Sequence, residues 1–188
     1  MKRIIMACLS LLMLTACQQK AQQAQSNSPE ENSTETNTTA DNAVAEGYNI
    51  GDKYIEFALP NPAGSLISIG DYVSKNKYTL VDFWASWCGP CRAEMPTVVK
   101  AYTDFHAKGL EVIGVSLDQD KDSWVDAVER LDMSWPQMSD LNGWDCKGAQ
   151  LYNVRSIPSN VLIDQQGIIV AKDLRGEDLL NKLAELLK

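Results

Sequence analysis

Two cysteines, Cys88 and Cys91, lie three positions apart with Gly89 and Pro90 between them. Thiols at this spacing can form and break one disulfide, which moves two electrons. They follow an apolar run and precede a stretch with helical character, so we expect them where a helix begins. Unpaired N–H groups and partial positive charge at a helix start favour a thiolate over a thiol. Cys88 is therefore predicted to be an acidic, exposed nucleophile. Cys91, one turn further in, is predicted to be a shielded thiol that attacks the mixed disulfide and releases the partner.

Four other uses of this cysteine pair compete with redox chemistry. A structural cross-link over so short a ring gains only roughly 2 kcal/mol, against about 4.7 kcal/mol for a hundred-residue loop. Zinc needs four ligands, and Cys146 and the single His106 are not paired in the sequence. Attached haem needs a histidine after the second cysteine, where the chain has Arg92. Inert core thiols are disfavoured by the position at a helix start. The context favours thiol–disulfide exchange without a metal or other cofactor.

The elements that would position the pair alternate between strands and helices. Residues 78–85 form an apolar, β-branched and aromatic run, which predicts a strand buried on both faces, and residues 93–107 are predicted as the next helix. The other predicted elements are a hairpin of residues 54–59 and 66–69, a buried strand at 110–117, a helix at 123–131, a hairpin of 159–163 and 168–172, and a helix at 178–187. This order predicts an α/β domain whose partly parallel sheet is covered on both faces.

The amino-terminal residues have the pattern of an export signal. Lys2 and Arg3 precede an apolar run at residues 4–14, which is too short to span a bilayer. The segment Leu14-Thr15-Ala16-Cys17 resembles the bacterial lipobox, in which cleavage precedes the cysteine and the cysteine is acylated. The alternative is an ordinary signal peptide with a chance cysteine. We predict a lipoprotein signal peptide at 1–16, acylated Cys17 with a flexible polar tether through 47, and one domain at 48–188.

Charge and composition support this division. Residues 18–45 contain no aromatic side chain and cannot bury enough apolar surface to fold. As a flexible coil they would reach on the order of 30 Å. Cleavage before Cys17 would remove two of the 17 basic residues and none of the 25 acidic ones, so the net charge would fall from −8 to −10. That balance argues against nucleic acid or an anionic lipid surface as the main partner.

Several segments carry a family resemblance. Val81-Asp-Phe-Trp-Ala-Ser-Trp-Cys-Gly-Pro-Cys-Arg92 resembles the active-site segment of the thioredoxin family. Ala93-Glu94-Met95-Pro96, Phe57-Ala-Leu-Pro60 and Leu66-Ile-Ser-Ile-Gly-Asp-Tyr72 resemble the exported TlpA/ResA-like branch. Arg155-Ser-Ile-Pro158-Ser159, followed by Val161-Leu-Ile-Asp164 and Gly167, resembles the family's cis-proline loop and closing hairpin. The resemblance runs from about Phe57 to the carboxyl terminus. It implies a thioredoxin-like fold, with a central mixed sheet flanked by helices and an amino-terminal β-hairpin extension.

The resemblance also implies residue roles. A cis bond would precede Pro158, which would lie against the cysteines and pair through its backbone with a bound peptide, and Ile157 would also contact the partner. The alternative is an ordinary trans proline before a strand. Asp82 stands where thioredoxins have a buried carboxyl that relays a proton to Cys91, although the TlpA/ResA-like branch more often has Asn there. The alternative for Asp82 is a partly exposed acid at a strand edge. Glu94 stands where that branch has an acid near the cysteines, and its alternative is a first-turn carboxylate favoured by the helix dipole.

The aromatic residues divide between core and rim. Trp87 is predicted to contact partners at the rim, together with Gly89 and Pro90, whereas Trp84 is predicted to lie in the core. The remaining tryptophans, Trp124, Trp135 and Trp144, are predicted to pack. Cys146 is predicted to be a buried free thiol.

The resemblance implies a membrane-anchored thiol-disulfide oxidoreductase of the bacterial cell envelope, with its domain facing the periplasm. The thioredoxin dipeptide Gly89-Pro90 favours a reductant. Its expected partners are disulfide-containing exported proteins, including apocytochrome c during cytochrome c maturation, and an integral-membrane electron donor. An oxidase or isomerase role stays open within the same chemistry.

Two functions of other classes remain alternatives. A thiol peroxidase of the AhpC/TSA type shares the scaffold, but its Pro and Thr before the cysteine are replaced here by Val81 and Ala85. A non-catalytic surface lipoprotein would use the domain only to bind protein.

Overall fold

A computed structural model describes residues 44–188 of the chain. The predicted signal peptide, Cys17 and nearly all of the predicted tether lie outside the described residues. The elements, in chain order, are β1 (Ala58–Pro60), β2 (Leu66–Ser68), α1 (Gly70–Val73), β3 (Tyr78–Trp84), α2 (Gly89–Phe105), β4 (Leu110–Ser116), α3 (Lys121–Arg130), β5 (Gln137–Met138), α4 (Lys147–Leu151), β6 (Ser159–Asp164), β7 (Ile169–Lys172) and α5 (Gly176–Leu186). Short 3₁₀ turns at His106–Lys108 and Gly143–Asp145 complete the chain.

The central sheet has five strands in the order β5-β4-β3-β6-β7. Strand β3 lies in the middle, parallel to β4 and antiparallel to β6. Consecutive side chains of a strand point to opposite faces, and β4 is buried at every position. Both faces of the sheet centre are therefore covered, which accounts for the mostly apolar runs in the sequence, interrupted by Asp82 and Glu111. The fold is the thioredoxin-like α/β arrangement that the resemblance implied.

Helix α2 carries the active-site segment at its amino terminus and packs beside α5. Its inward side chains, Met95, Val98 and Ala101 among them, are buried. This spacing of three to four residues keeps one stripe of the helix against the sheet. The sheet and helix stripe together fix where α2 starts relative to β3, and the four residues 85–88 connect the two.

The amino-terminal hairpin β1–β2 forms a separate two-stranded sheet. Tyr152 connects the segment before it to the main body, because its hydroxyl accepts the Ile55 N–H at 3.1 Å and donates to the Ile55 carbonyl at 2.9 Å. The Phe57 ring meets the Tyr152 ring edge-on, with centroids 5.8 Å apart.

Several predicted boundaries differ from the structure. The first strand starts at Ala58 rather than residue 54, and α2 starts at Gly89 rather than residue 93. Helices α3 and α5 each begin two residues earlier than predicted, at Lys121 and Gly176. These helix starts hold turn-forming and capping residues, which carry no apolar periodicity. Within residues 44–188, the helices lack the combination of length and apolar character that a bilayer crossing requires.

Candidate active site

Cys88 and Cys91 are joined by a disulfide at the start of α2. Cys88 occupies the N-cap position of the helix, in an extended backbone conformation, and Pro90 lies within the first turn. The N–H of Cys91 donates to the Cys88 sulfur over 3.2 Å. A helix start leaves its first N–H groups without partners inside the helix, so the sulfur takes the place of an ordinary capping oxygen. The same contact favours negative charge on that sulfur once the disulfide is reduced.

The two cysteines differ less in exposure than expected. Cys88 is 5% exposed and Cys91 is 1% exposed, so the prediction that Cys88 is exposed is wrong for this disulfide state. The Ile157 carbonyl oxygen lies 3.7 Å from the Cys88 sulfur and covers it. A disulfide sulfur carries no proton, so this is a packing contact. A reduced thiol at the same place could donate to that carbonyl.

The loop that covers the disulfide contains the cis peptide bond between Ile157 and Pro158, at the position that the resemblance implied. Pro158 is buried and Ile157 is half-buried. The guanidinium of Arg175, just before α5, donates to the Pro158 carbonyl. The loop is therefore held from the side of α5, by a residue that no sequence motif singles out.

Asp82 lies on the central strand β3 and is 3% exposed. The alternative of a partly exposed acid at a strand edge is therefore wrong. Loss of hydration, the largest effect, and the negative charge of Glu94 together raise the pKa of Asp82 to about 7, against the opposing positive charge of Arg175. A carboxyl whose pKa lies near neutrality can both accept and release a proton at physiological pH.

Glu94 lies beyond the first turn of α2, because that helix begins five residues earlier at Gly89. Its carboxylate accepts the N–H of Gly176, the first residue of α5, at 2.7 Å. The alternative that Glu94 serves the dipole of its own helix is therefore wrong. It instead caps a neighbouring helix, and its charge also acts on Asp82.

Asp118, after β4, is a buried acid that the sequence interpretation missed. Its carboxylate accepts the Ser86 N–H at 3.0 Å, the Ser86 hydroxyl at 2.6 Å and the Ser116 hydroxyl at 2.7 Å. Ser86 lies two residues before Cys88, so Asp118 fixes the turn that leads from β3 to the disulfide. The signal available in the sequence was an acid directly after a buried strand, at the edge where β3 also ends.

The tryptophans divide differently from the prediction. Trp84 is buried as expected and donates its indole N–H to Gln137 at 3.2 Å, and Trp124 and Trp135 are also buried. Trp87 is 53% exposed at the rim, as expected. Trp144, predicted to pack, is 45% exposed, and its ring centroid lies 6.3 Å from that of Trp87. A short 3₁₀ turn, which sequence periodicity does not reveal, presents it at the surface.

Two further features border the site. Cys146 is buried and free, as predicted, and burial raises the pKa of its thiol to about 11. An open cleft of about 380 Å³ lies beside the cis-proline loop and is lined by Ser156, Ser159 and Arg175 among others, but by neither cysteine. The disulfide therefore lies outside this cleft.

The fold, the helix-capping disulfide and the cis-proline loop together define a thiol-disulfide oxidoreductase of the thioredoxin-like class. The AhpC/TSA family model matches residues 50–172. The chain is 30% identical over 143 residues to the thiol-disulfide oxidoreductase ResA of Bacillus thuringiensis subsp. konkukian, covering 76% of this chain and 79% of that one. It is 31% identical over 126 residues to the thioredoxin-like protein YneN of Bacillus subtilis, covering 65% and 70% of the two chains.

Solved structures give the same result. A thiol-disulfide oxidoreductase from Bacteroides fragilis superposes with a TM-score of 0.68 at 34% identity, over 72% of this chain and all of the other. The thioredoxin domain of a Bacteroides vulgatus thiol-disulfide oxidoreductase gives 0.68 at 33% identity, over 74% and 99%. The chain belongs to the AhpC/TSA family and, within it, to the thiol-disulfide oxidoreductases of ResA type, with Cys88 and Cys91 as its redox pair.

Proposed function

We propose that this oxidoreductase is a lipid-anchored reductase of disulfides in exported proteins, held to a bacterial membrane through acylated Cys17 with its domain facing the periplasm. The observation that carries the proposal is the position of the Cys88 sulfur. It caps helix α2, accepts the Cys91 N–H at 3.2 Å and lies 3.7 Å from the Ile157 carbonyl. The nucleophile is thus adjacent to the backbone that we propose binds the client.

In the reduced protein, the Cys88 thiolate attacks one sulfur of a client disulfide. A bond forms between Cys88 and that sulfur, the client disulfide breaks, and the leaving thiolate takes up a proton. The Cys91 thiolate then attacks the Cys88 sulfur, which forms the Cys88–Cys91 disulfide and releases the second client thiolate. The client gains two electrons and the protein loses two.

We assign to Asp82 the role of accepting the proton that the Cys91 thiol releases. The support for this role is its burial and a pKa raised to about 7, which lets the carboxylate accept a proton at neutral pH. Glu94 is assigned a tuning role through its charge on Asp82, and the loop at Ile157 and Pro158 is assigned the binding of the client backbone. Trp87, Gly89 and Pro90 form the rest of the proposed contact surface.

The direction of transfer is inferred from the residues between the cysteines. Potentials in this chemistry run from about −270 mV for thioredoxin to about −120 mV for a strong periplasmic oxidant. Gly89-Pro90 is the thioredoxin dipeptide, which favours the reducing end. A reductant outside the cytosol must be recharged, so we propose an integral-membrane dithiol as electron donor. Apocytochrome c and other exported thiol proteins are the proposed clients.

Reduction of insulin disulfides by the pre-reduced protein tests the enzyme. The wild type should reduce insulin, Cys88→Ser should abolish the reaction, and Cys91→Ser should accumulate a mixed disulfide with the client. A measured reduction potential near that of thioredoxin supports the reductase direction. A potential near that of the strong periplasmic oxidant would instead make the protein an oxidase. If the wild type reduces no insulin and its thiols stay inert to alkylation, the chain is a non-catalytic binding protein.

Hydrogen peroxide consumption separates the reductase from a thiol peroxidase. Val81 and Ala85 are buried and apolar, so they offer no hydroxyl to polarise a peroxide. We expect slow consumption, no faster than that of a thiolate with no group to polarise the peroxide. Rapid turnover of peroxide would replace the reductase with the peroxidase alternative.

The lipid anchor has its own test. In cells fed labelled palmitate, the full chain should take up label and sediment with membranes, and Cys17→Ser should do neither. A full chain that stays unlabelled and in the soluble fraction would overturn the anchor but not the redox activity.

A further inference from the structure

We propose that Trp87 and Trp144 form a docking surface, here called the tryptophan pair, that binds a large apolar or aromatic side chain next to the reactive cysteine of a client. The inference rests on the proposed reductase function and adds client selectivity to it. Trp87 adjoins Cys88 in the chain, and Trp144 comes from a distant loop.

The exposure of the tryptophan pair is unusual for such large apolar rings. Three of the five tryptophans are almost fully buried, whereas Trp87 and Trp144 are about half exposed. Their centroids are 6.3 Å apart with the ring planes tilted by 55°, which is within the range of direct aromatic contact. The two rings therefore present one continuous apolar face to solvent. Such faces at the rim of a reactive group mark sites of protein contact.

Trp144 is held in place by hydrogen bonds of its own loop. Gln150 donates to the Trp144 carbonyl at 2.7 Å. Asp140 accepts the Asn142 N–H at 3.2 Å and the Lys147 N–H at 2.9 Å, so it ties together both ends of the turn. A ring on a braced backbone loses little conformational freedom when a partner binds, which raises its contribution to affinity.

Trp87 is fixed from the other side. Asp118 accepts both the N–H and the hydroxyl of Ser86, the residue before Trp87. Trp87 directly precedes Cys88 in the chain and is exposed, so its ring is available to a client bound at that cysteine. The residue flanking the client cysteine is then the part of the client that meets the tryptophan pair.

The chemistry of the surface favours an apolar occupant. Tryptophan is enriched among residues that dominate binding energy, because it buries a large area against a complementary side chain. A cation such as arginine can also stack on aromatic rings, and the test below distinguishes it from the apolar occupant. These two occupants differ in charge, so peptides can separate them.

The experiment uses the full chain, pre-reduced, with short peptides that each contain one intramolecular disulfide. The residue next to the first cysteine is Phe, Ser or Arg, and the rest of the peptide is constant. We expect the wild type to reduce the Phe peptide with the lowest KM. Trp144→Ala should raise that KM about fivefold to thirtyfold, which corresponds to an interface contact of roughly 1–2 kcal/mol. The rate of reduction of the Ser peptide by Trp144→Ala should equal the rate measured for the control variant described next.

The control is Leu66→Ala, which removes another exposed apolar side chain from the separate hairpin. Trp144→Phe should restore most of the preference, and the reduction potential should stay the same in all three variants. Equal losses on the Phe and Ser peptides, or no loss on either, would overturn the docking surface. A loss confined to the Arg peptide would replace the apolar occupant with a cation. If the wild type reduces no peptide and no insulin, the proposed function itself has failed.

Discussion

At the scale of single residues, two opposing effects act on the Cys88 sulfur. Burial disfavours a thiolate, while the helix start and the Cys91 N–H favour it. A hydrogen bond to a charged group contributes about 1.5–3 kcal/mol, and the helix dipole adds up to about 2 kcal/mol in a partly buried site. Cys88 receives both contributions at the N-cap, whereas Cys91 lies inside the helix and receives no comparable contact. The difference between the two sulfurs therefore comes from their place on α2 more than from exposure.

Alkylation of the reduced protein at neutral pH measures this difference. We predict that Cys88 reacts faster than Cys91, because only Cys88 occupies the capping position. The variant Cys146→Ser removes the third thiol of the domain from the signal, and mass spectrometry of fragments assigns the modified residue. Equal rates at Cys88 and Cys91 would contradict the assigned roles.

Asp82 links the site to the pH dependence of stability. Its folded-state pKa of about 7 lies above the ordinary value of 3.8, so between these values the folded protein holds a proton that the unfolded chain releases. Its contribution to the free energy of unfolding therefore falls as pH rises, by about 1.4 kcal/mol per pH unit, and levels off above pH 7. Asp82→Asn should remove this slope.

Urea unfolding of the oxidised wild type and of Asp82→Asn from pH 5 to pH 8 tests the prediction. The variant should gain stability relative to the wild type as pH rises. In the reduced protein the same variant should slow release from mixed disulfides and leave the first attack largely intact. Parallel stability curves for the two proteins would mean that Asp82 ionises normally.

At the scale of elements, helix α5 depends on a residue of helix α2. The N-cap residue of α5, Arg175, makes no side-chain capping bond, and Glu94 supplies the acceptor for the Gly176 N–H. The same two helix ends carry the charges that act on Asp82, with Glu94 raising its pKa and Arg175 lowering it. Packing of α2 against α5 thus sets part of the electrostatics of the site.

Two substitutions at Glu94 separate its charge from its capping role. Glu94→Gln keeps an oxygen acceptor for Gly176 and removes the charge, so the pKa of Asp82 should fall with little loss of stability. Glu94→Ala removes both the charge and the oxygen acceptor. It should lower the free energy of unfolding by a further amount of about 0.5–2 kcal/mol, the usual range for a lost N-cap. The pH profile of mixed-disulfide release reports the first effect and urea unfolding the second. Identical behaviour of the two variants would contradict this division.

The sequence was sufficient for the long elements and for the redox pair. Strands β3 and β4 have mostly apolar runs, and the cysteine pair indicated the chemistry and a nearby helix start, although the helix was predicted to begin four residues late. The short elements α1, α4 and β5 were not predicted, because segments of two to five residues are stabilised by tertiary contacts and not by local propensity. Arg175 and Asp118 were missed for a related reason. Each is distant in sequence from the cysteines, and only the fold brings it to the site.

At the scale of the whole molecule, Tyr152 joins the segment at Ile55 to the main sheet. Its hydroxyl forms two hydrogen bonds with one residue's backbone, in the way that a paired strand would. Burial shifts the pKa of Tyr152 upward, so the hydroxyl stays protonated as a donor. The amino-terminal extension is therefore attached through a side chain as well as through backbone pairing.

Tyr152→Phe should lower the free energy of unfolding by about 1–3 kcal/mol, because it leaves the Ile55 N–H and carbonyl without partners in a partly buried place. The matched control is Tyr54→Phe, which loses one exposed hydrogen bond to Glu56 and should cost far less. Urea unfolding of both variants measures the difference. Similar values for the two would show that solvent replaces the Tyr152 contacts.

The chain enters the domain along the closing hairpin. Lys53 pairs with Ala45, and residues 51–54 exchange backbone hydrogen bonds with Gly167 and Ile169 at 2.8–3.0 Å. A mechanical pull from the amino-terminal side would load this short ladder first. We expect this ladder to separate while β3 and the disulfide stay in place, because its few hydrogen bonds join the edge strand β7 and the turn before it and not β3.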